Sequence, residues 1–301
     1  MKTIFIDCNP QLGAVWKRVC RQDDPAVTIN TTPFEKNELP RVIGDYDIAI
    51  DDHSYMPTDL VRLCKNLKHI VFLGTGAASY MNVAELEAAG VKVHTIKGYG
   101  DTAVAEQTIA LMMAACRDLA RMDRNIRAGT WAPREGMQLF GKTLGIIGLG
   151  GIGSEVARIA KGLGMQVIGW NRTQRADANV TTVELDDLVQ RSDVISINLT
   201  LNDETRGFLD KARIARMKPG VIFINTARGA LADEAALLEA LKSGHIRHAG
   251  LDVFHNEPLK AGDPLAALDN VTLSAHAAFR TLEASMTLLR RAIDIVKSVQ
   301  S

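Results

Sequence analysis

Along the first hundred residues, short apolar runs recur between longer amphipathic stretches. TIFID, DIAIDD, HIVFLG and VKVHT have the length and composition of buried strands, and segments 58–67 and 82–89 place apolar residues at helical spacing. Strands that alternate with helices in this way pair in parallel, so the pattern predicts βαβ units. Near residue 98 the character changes. The turn-rich GYGD leads into TAVAEQTIALMMAACRDLARMDRNIRAGTW, which reads as one long helix with no breaker before Gly129. After the linker APREGMQLFGK a second βα series begins, with TLGIIG, MQVIGW, DVISINL, VIFINT, HAGLDVF and VTLSAH as its strands. A last helical segment spans 281–299. No internal repeat or low-complexity tract interrupts this order. The pattern predicts an α/β protein of two domains, which 301 residues are enough to fill.

Composition narrows the class. Lys+Arg and Asp+Glu both number 35, so the formal net charge is zero, which argues against nucleic acid as a partner. The opening MKTIFIDCNP is cut by Asp7 and Pro10 well short of a signal-peptide core. No run of about 18 apolar residues occurs, so no membrane span is expected. Cys8, Cys20, Cys64 and Cys116 lack C-x-x-C spacing and read as scattered thiols of a reducing compartment rather than metal ligands. The expectation is a cytoplasmic protein without a bound metal.

Between a strand-like TLGIIG and a helix-like SEVARIAKGLG, Gly148, Gly150 and Gly153 occupy the positions of a G-x-G-x-x-G turn. The first glycine permits a tight turn, the second lets the backbone approach a pyrophosphate, and the third allows close helix–strand packing. The helix that follows presents free N–H groups to the phosphates. Strand and helix context both hold, which is what makes the motif informative for dinucleotide binding.

Open α/β sheets bind ligands beyond the carboxyl ends of their strands. Arg228 follows VIFINT, Glu257 follows HAGLDV, and His276 follows VTLS. Each alone is more often a solvated or structural residue; together they supply what hydride transfer to a ketoacid needs. An arginine fork binds a carboxylate, a histidine exchanges a proton near neutral pH, and a carboxylate beside that histidine favours its protonated form and fixes its ring. His255 is the one realistic rival, since His245 and His248 lie at the wrong end of their strand.

At the end of the second strand of this series, a turn that selects NAD carries an Asp or Glu, which takes the ribose hydroxyls and repels a 2′-phosphate. Here Asn171 stands in that position, followed by Arg172 and Thr173, with Arg175 nearby. The repulsion is gone and two cations are at hand, which points to NADP(H) as the preferred cofactor, with NAD(H) second, and hence to a reductive enzyme.

These segments resemble the D-isomer-specific 2-hydroxyacid dehydrogenase family. VAEQTIALMMAACR, GKTLGIIGLGGIG, GLGMQVIGW, DETRGFLD, MKPGVIFINTARGALADEAALLEALKSGHI, GLDVFHNEP and LSAHAA follow one another in the family's order. The resemblance implies a Rossmann cofactor domain, 99–279, inserted into a flavodoxin-like substrate domain, 1–98 plus 280–301, with substrate closing the cleft. It implies that Arg228 contacts the substrate carboxylate and keto oxygen, that Glu257 pairs with the catalytic His276, and that Asp252 lies near the nicotinamide carboxamide. Gly74, Thr75, Gly76 and Ala77 match a backbone loop that cradles the substrate carboxylate. Gly151, Ile152, Val104, Thr226 and Ala227 complete the expected cofactor contacts.

The family is usually dimeric through its cofactor domain; the helix IALMMAAC suits such a contact and would serve equally as core. The chain departs from the family in the substrate loop GTGAASYMN, in SAHAA, which lacks a glycine two residues after the histidine, and at Thr200, where proline is common. The expected activity is reduction of a small 2-ketoacid of the glyoxylate or hydroxypyruvate type to the D-2-hydroxyacid. The alternatives are a dehydrogenase of another small anion such as phosphite, and a non-enzymatic, cofactor-sensing protein like the corepressors that share the fold.

Overall fold

Runs of β-branched and aromatic residues become the strands of two sheets, parallel throughout, in the computed structural model, which describes residues 1–173 and 177–300. The chain runs β1 (Thr3–Phe5), α1 (Pro10–Val19), β2 (Val27–Ile29), α2 (Leu39–Ile43), β3 (Ile48–Asp51), α3 (Thr58–Val61), β4 (His69–Phe72), α4 (Val83–Ala88) and β5 (Lys92–Thr95). It continues through α5 (Asp101–Arg117), α6 (Leu119–Arg127), β6 (Thr143–Ile147), α7 (Gly151–Gly162), β7 (Gln166–Trp170), β8 (Thr181–Thr182), α8 (Leu185–Arg191) and β9 (Val194–Ile197). Then come α9 (Lys211–Ala215), β10 (Val221–Asn225), α10 (Glu234–Ser243), β11 (Ile246–Leu251), β12 (Val271–Leu273) and α11 (Leu282–Gln300). Two units form, one of residues 1–100 with the chain from Arg280 onward, the other Asp101–Phe279.

The first unit has the strand order β2-β1-β3-β4-β5, the flavodoxin-like arrangement. Its inner strands β1, β3 and β4 are buried on both faces, and alternate residues supply two cores. Ile4, Ala49, Ile70 and Phe72 pack on one side with Leu39, Ile43 and Leu86. Phe5, Ile50 and Val71 pack on the other with Trp16 of α1 and Leu288, Leu289, Ile293 and Val296 of α11. Arg290 of α11 grips Asp24 through two bonds of 2.6 and 2.8 Å. That guanidinium holds the Asp24 carboxyl down at about 2.

The second unit has the order β12-β11-β10-β9-β6-β7-β8, which is the doubly wound dinucleotide-binding topology extended by one strand. Ile222 and Ile224 face a core with Leu111, Met112, Leu144 and Val156, whereas Val221 and Phe223 face one with Ile195, Leu237 and Leu241. The α/β architecture with two parallel sheets is thus the one the pattern predicts.

Three local differences have physical causes. Strand β2 is absent from the sequence reading because it is three residues long and half-buried at a sheet edge. The two-residue β8 escapes notice for the same reason. The long helix after residue 100 is broken at Asp118, which takes a left-handed φ of +53°. The Cys116 carbonyl accepts the Met137 N–H at 2.8 Å, so the chain beyond α6, not the next helical turn, satisfies it. Within α5 the IALMMAAC face is largely core: Leu111, Met112, Ala115 and Cys116 are buried in their own unit.

Candidate active site

In the second unit the glycine turn joins β6 to α7. Gly148 ends β6 with φ +99°, and a Cβ there would lie 2.7 Å from the Asn198 carbonyl oxygen. A Cβ on Gly153 would meet the Gly148 carbonyl oxygen at 2.0 Å, so α7 can start this close to the strand only with glycine. Around Gly150, the N-cap of α7, the opposite holds: a Cβ would meet nothing within 4 Å, and no side chain caps the helix. An uncapped helix start facing open space is what a dinucleotide pyrophosphate requires, so the residues present fit that group. The Asp101 carboxylate packs on the next residue, 1.8 Å from where a Gly151 Cβ would stand.

At the end of β7, Asn171 is spent within the turn. Its Oδ1 accepts the Leu149 N–H at 3.1 Å and its Nδ2 donates to the Thr173 carbonyl at 2.7 Å. Arg172 is exposed and pairs with Glu204, and Thr173 is exposed beside it. Arg175 lies outside the described residues.

Three loops at the carboxyl ends of β10, β11 and β12 carry Arg228, Glu257 and His276. The buried Asn225 shapes the first: its Oδ1 accepts the Ala227 N–H at 3.0 Å and its Nδ2 donates to the Arg228 carbonyl at 2.9 Å. Thr226 anchors it below through a 2.8 Å contact with the Thr108 hydroxyl, which itself donates to the Val104 carbonyl. Gly229 lets the second loop approach, since a Cβ there would lie 2.1 Å from the Phe254 carbonyl carbon. Arg228 donates through Nη1 to the carbonyl of Ala227 at 2.6 Å.

His276 holds a left-handed φ of +47°, rare for a residue with a Cβ. The fully buried Asp252 imposes it. The His276 N–H donates to the Asp252 carbonyl at 2.8 Å, and the Asp252 carboxylate accepts the N–H groups of Ala277 and Ala278 at 3.0 and 2.9 Å and the Ser274 hydroxyl at 2.5 Å. The histidine thus projects from a bracket of four bonds to one residue. Its Nδ1 lies 2.6 Å from Glu257 Oε2, and Glu257 Oε1 accepts the Phe254 N–H at 2.9 Å. Partial burial works to raise the Glu257 carboxyl, but the bonds from His276 and Phe254, with the charges of His276 and Arg228, hold it below the usual range. A carboxylate faces one ring nitrogen, and the other, Nε2, has no hydrogen-bond partner among the described residues.

The competing histidines are engaged elsewhere. His255 Nε2 lies 2.8 Å from the Ala232 carbonyl, and His245 Nε2 lies 3.0 Å from that of Ile214. His248 is buried against the Thr272 hydroxyl, and burial pushes it down to about 4. Among the described residues no group of three His, Cys, Asp or Glu could hold a metal ion, and no helix is long and apolar enough to cross a membrane.

In the first unit the loop after β4 carries Gly74 to Ala77. The Gly74 N–H is taken by the Phe72 carbonyl at 2.9 Å, while no backbone carbonyl among the described residues accepts from Thr75, Gly76 or Ala77. Three unspent N–H groups in succession suit an anion.

A second cluster went unnoticed in the sequence, at the carboxyl ends of β1 and β3. Asp7 accepts the N–H groups of Asp52 and His53, both at 2.9 Å, and the Ser54 hydroxyl at 2.8 Å. His53 Nδ1 sits 2.9 Å from Asp52. Burial, with the Asp7 charge beside it, pushes the Asp51 carboxyl well above the usual range. The signal for it lies in DIAIDDHS, where Asp51, Asp52 and His53 close an apolar run at a strand end.

A doubly wound sheet, a glycine turn that fits a pyrophosphate and a carboxylate–histidine pair beside an arginine define a dinucleotide-dependent oxidoreductase. Residues 109–278 match the family model described as D-isomer specific 2-hydroxyacid dehydrogenase, NAD binding domain, and the chain belongs to that family. It is 36% identical to a hydroxypyruvate reductase of Thermotoga maritima over 277 residues, 90% of this chain and 89% of the relative. It is also 36% identical to a D-3-phosphoglycerate dehydrogenase of Archaeoglobus fulgidus over 85% of this chain, but spans only 50% of that relative's length. A solved acyclic imino acid reductase, in complex with NADPH and D-Arg, superimposes with a TM-score of 0.88 at 28% identity, covering 100% of this chain and 97% of that one.

Proposed function

We propose that this protein reduces a small 2-ketoacid of the glyoxylate or hydroxypyruvate type to the D-2-hydroxyacid, with NADP(H) preferred over NAD(H). The observation that carries the reading is the 2.6 Å pair of Glu257 and His276, with Arg228 close enough for its charge to act on Glu257. The reduced nicotinamide, when bound, supplies the hydride. In this reading Arg228 binds the ketoacid carboxylate and polarises its carbonyl. His276 holds a proton on Nε2 for the carbonyl oxygen, and Glu257 keeps Nδ1–H in place and balances the ring's charge. In the first unit, taken by itself, the N–H groups of Thr75, Gly76 and Ala77 suit an anion. The glycine turn 148–153 holds the pyrophosphate, with Val104, Thr226, Ala227 and Asp252 shaping the pocket floor. Arg172 is the residue that meets a 2′-phosphate.

The reading is tested by following oxidation of NADPH and NADH with glyoxylate, hydroxypyruvate and pyruvate, and reduction of NADP+ and NAD+ with phosphite for the alternative. Turnover of none of these ketoacids by protein that binds the cofactor would remove the catalytic assignment.

We also propose a homodimer. Leu119, Ile126, Trp131 and Phe140 are large apolar residues exposed within one stretch of the second unit, Trp131 at 87%. Phe140 also lines a cavity of about 490 Å³ with Met113, Cys116, Leu139 and Leu163 and the polar Arg117 and Gln138, which offers room for a side chain of a second copy. Trp131→Ala should convert a dimer to monomer in sedimentation; a wild-type monomer at micromolar concentration is the contrary result.

A further inference from the structure

The turn after β7 lacks the carboxylate that marks NAD-selecting proteins, yet a carboxylate stands there all the same. Glu204, from the loop after β9, brings Oε2 to 2.5 Å from Arg172 Nη1. Both side chains are largely exposed, at 72% and 73%, so the pair is not a buried structural tie. The loop that carries Glu204 is fixed by its own bonds. The Thr205 N–H donates to Asn202 Oδ1 at 2.9 Å, the Asn202 N–H donates to the Thr205 hydroxyl at 2.8 Å, and that hydroxyl donates to the Thr200 carbonyl at 2.7 Å. Asn171 does not replace the acid, because its amide carries no charge to repel a phosphate and is already bonded to the Leu149 N–H and the Thr173 carbonyl.

We propose that Glu204 is a specificity-determining residue that tempers the choice of cofactor by competing for Arg172. A 2′-phosphate must take the guanidinium from Glu204, whereas a 2′-hydroxyl leaves the ion pair in place. A phosphate monoester carries between one and two negative charges near neutral pH and three acceptor oxygens, so it displaces a single exposed carboxylate. The preference for NADP(H) then survives but is smaller than Arg172 alone would give. This inference rests on the reading of Arg172 as the 2′-phosphate ligand.

The test is calorimetric titration of NADPH and NADH into wild-type protein, Glu204→Gln, Arg172→Ala and the double variant. Glu204→Gln should improve the ratio of NADPH to NADH affinity about two- to fivefold, the range an exposed ion pair commands. Arg172→Ala should lower that ratio, and adding Glu204→Gln to it should restore nothing. An unchanged or lowered ratio in Glu204→Gln overturns the proposal, and a selective loss in Arg172→Ala would still leave Arg172 as the phosphate ligand. A gain that persists in the Arg172→Ala background also overturns it, because Glu204 would then act on the phosphate directly. Equal weakening of both cofactors by Arg172→Ala refutes the underlying reading of Arg172, and the proposal falls with it.

Discussion

Replacing Glu257 with glutamine probes the proposed proton donor by changing its hydrogen-bond arithmetic while keeping its shape. The carboxylate accepts two bonds through two oxygens, from Phe254 N–H at 2.9 Å and from the His276 ring at 2.6 Å. A glutamine amide has one oxygen and one NH2 group, so it can serve only one of them. With its oxygen left on the Phe254 N–H, the NH2 faces Nδ1, which must then be an acceptor. The ring is neutral in that state, and giving up its remaining Nε2 proton would leave an imidazolate, which is strongly disfavoured. With the amide turned over, the Phe254 N–H meets another donor, at a cost of about 1 kcal/mol or more. Either way the charge facing the ring is lost. A positioned general acid contributes about 10²- to 10⁴-fold, and the variant keeps the ring's position, so the low end applies. We expect kcat for ketoacid reduction to fall about 100-fold, equivalent to about 2.7 kcal/mol, with cofactor affinity within about twofold. The assay is loss of NADPH absorbance at saturating ketoacid, with cofactor binding titrated separately. Glu257→Asp, which keeps both oxygens and the charge, should recover part of the rate. A kcat for Glu257→Gln within about threefold of wild type would refute the reasoning.

His276→Ala should cost about 10³-fold in kcat with cofactor binding retained, whereas His255→Ala should turn over almost normally; the reverse pattern in the two rate measurements would move the donor role to His255. Asp51 has a carboxyl raised well above 3.8 in the fold, so it stays protonated there while the unfolded chain ionises, and its stability contribution falls as pH rises above about 4. Asp51→Asn should therefore be more stable than wild type at pH 7 in thermal melts, with the gain vanishing toward pH 4; equal melting temperatures at pH 7 would contradict this. The Asp24 carboxyl is held at about 2, so its bond to Arg290 is at full strength above about pH 4 and is lost as pH falls through 2. Arg290→Ala leaves Asp24 with the Arg21 N–H at 2.7 Å but without its guanidinium and should destabilise the first unit by about 1.5–3 kcal/mol in denaturant titration, no measurable change being the disproof.

What could be read from the chain and what could not divides by the range of the interaction responsible. The glycine turn is legible because its spacing is local: Gly153 answers to the Gly148 carbonyl oxygen of its own strand–turn–helix unit, although Gly148 is also pressed by Asn198 from the loop after β9. Arg228, Glu257 and His276 are legible because each lies in the loop after an apolar strand, and parallel topology brings strand ends together. Even so, nothing local announces that Asp252 spends its carboxylate on the two amides after His276. The break at Asp118 is hidden because its cause, the Cys116–Met137 bond, spans 21 residues of unpatterned chain. The partner of Arg172 lies 32 residues away on another loop, and no spacing rule links them.

The last helix of the chain completes the core begun by its first strand. Phe5, Trp16, Ile50 and Val71 are covered by Leu288, Leu289, Ile293 and Val296, and Asp24 waits for Arg290. Between the two halves of that core the ribosome must make the whole of Asp101–Phe279. At about 5–20 residues per second this takes roughly 10–40 s. The second unit, continuous in sequence, can therefore fold during synthesis while the first still exposes an apolar face. The nascent N-terminal hundred residues are the segment that calls for chaperone protection, and a chain truncated before Leu282 would leave that need permanent.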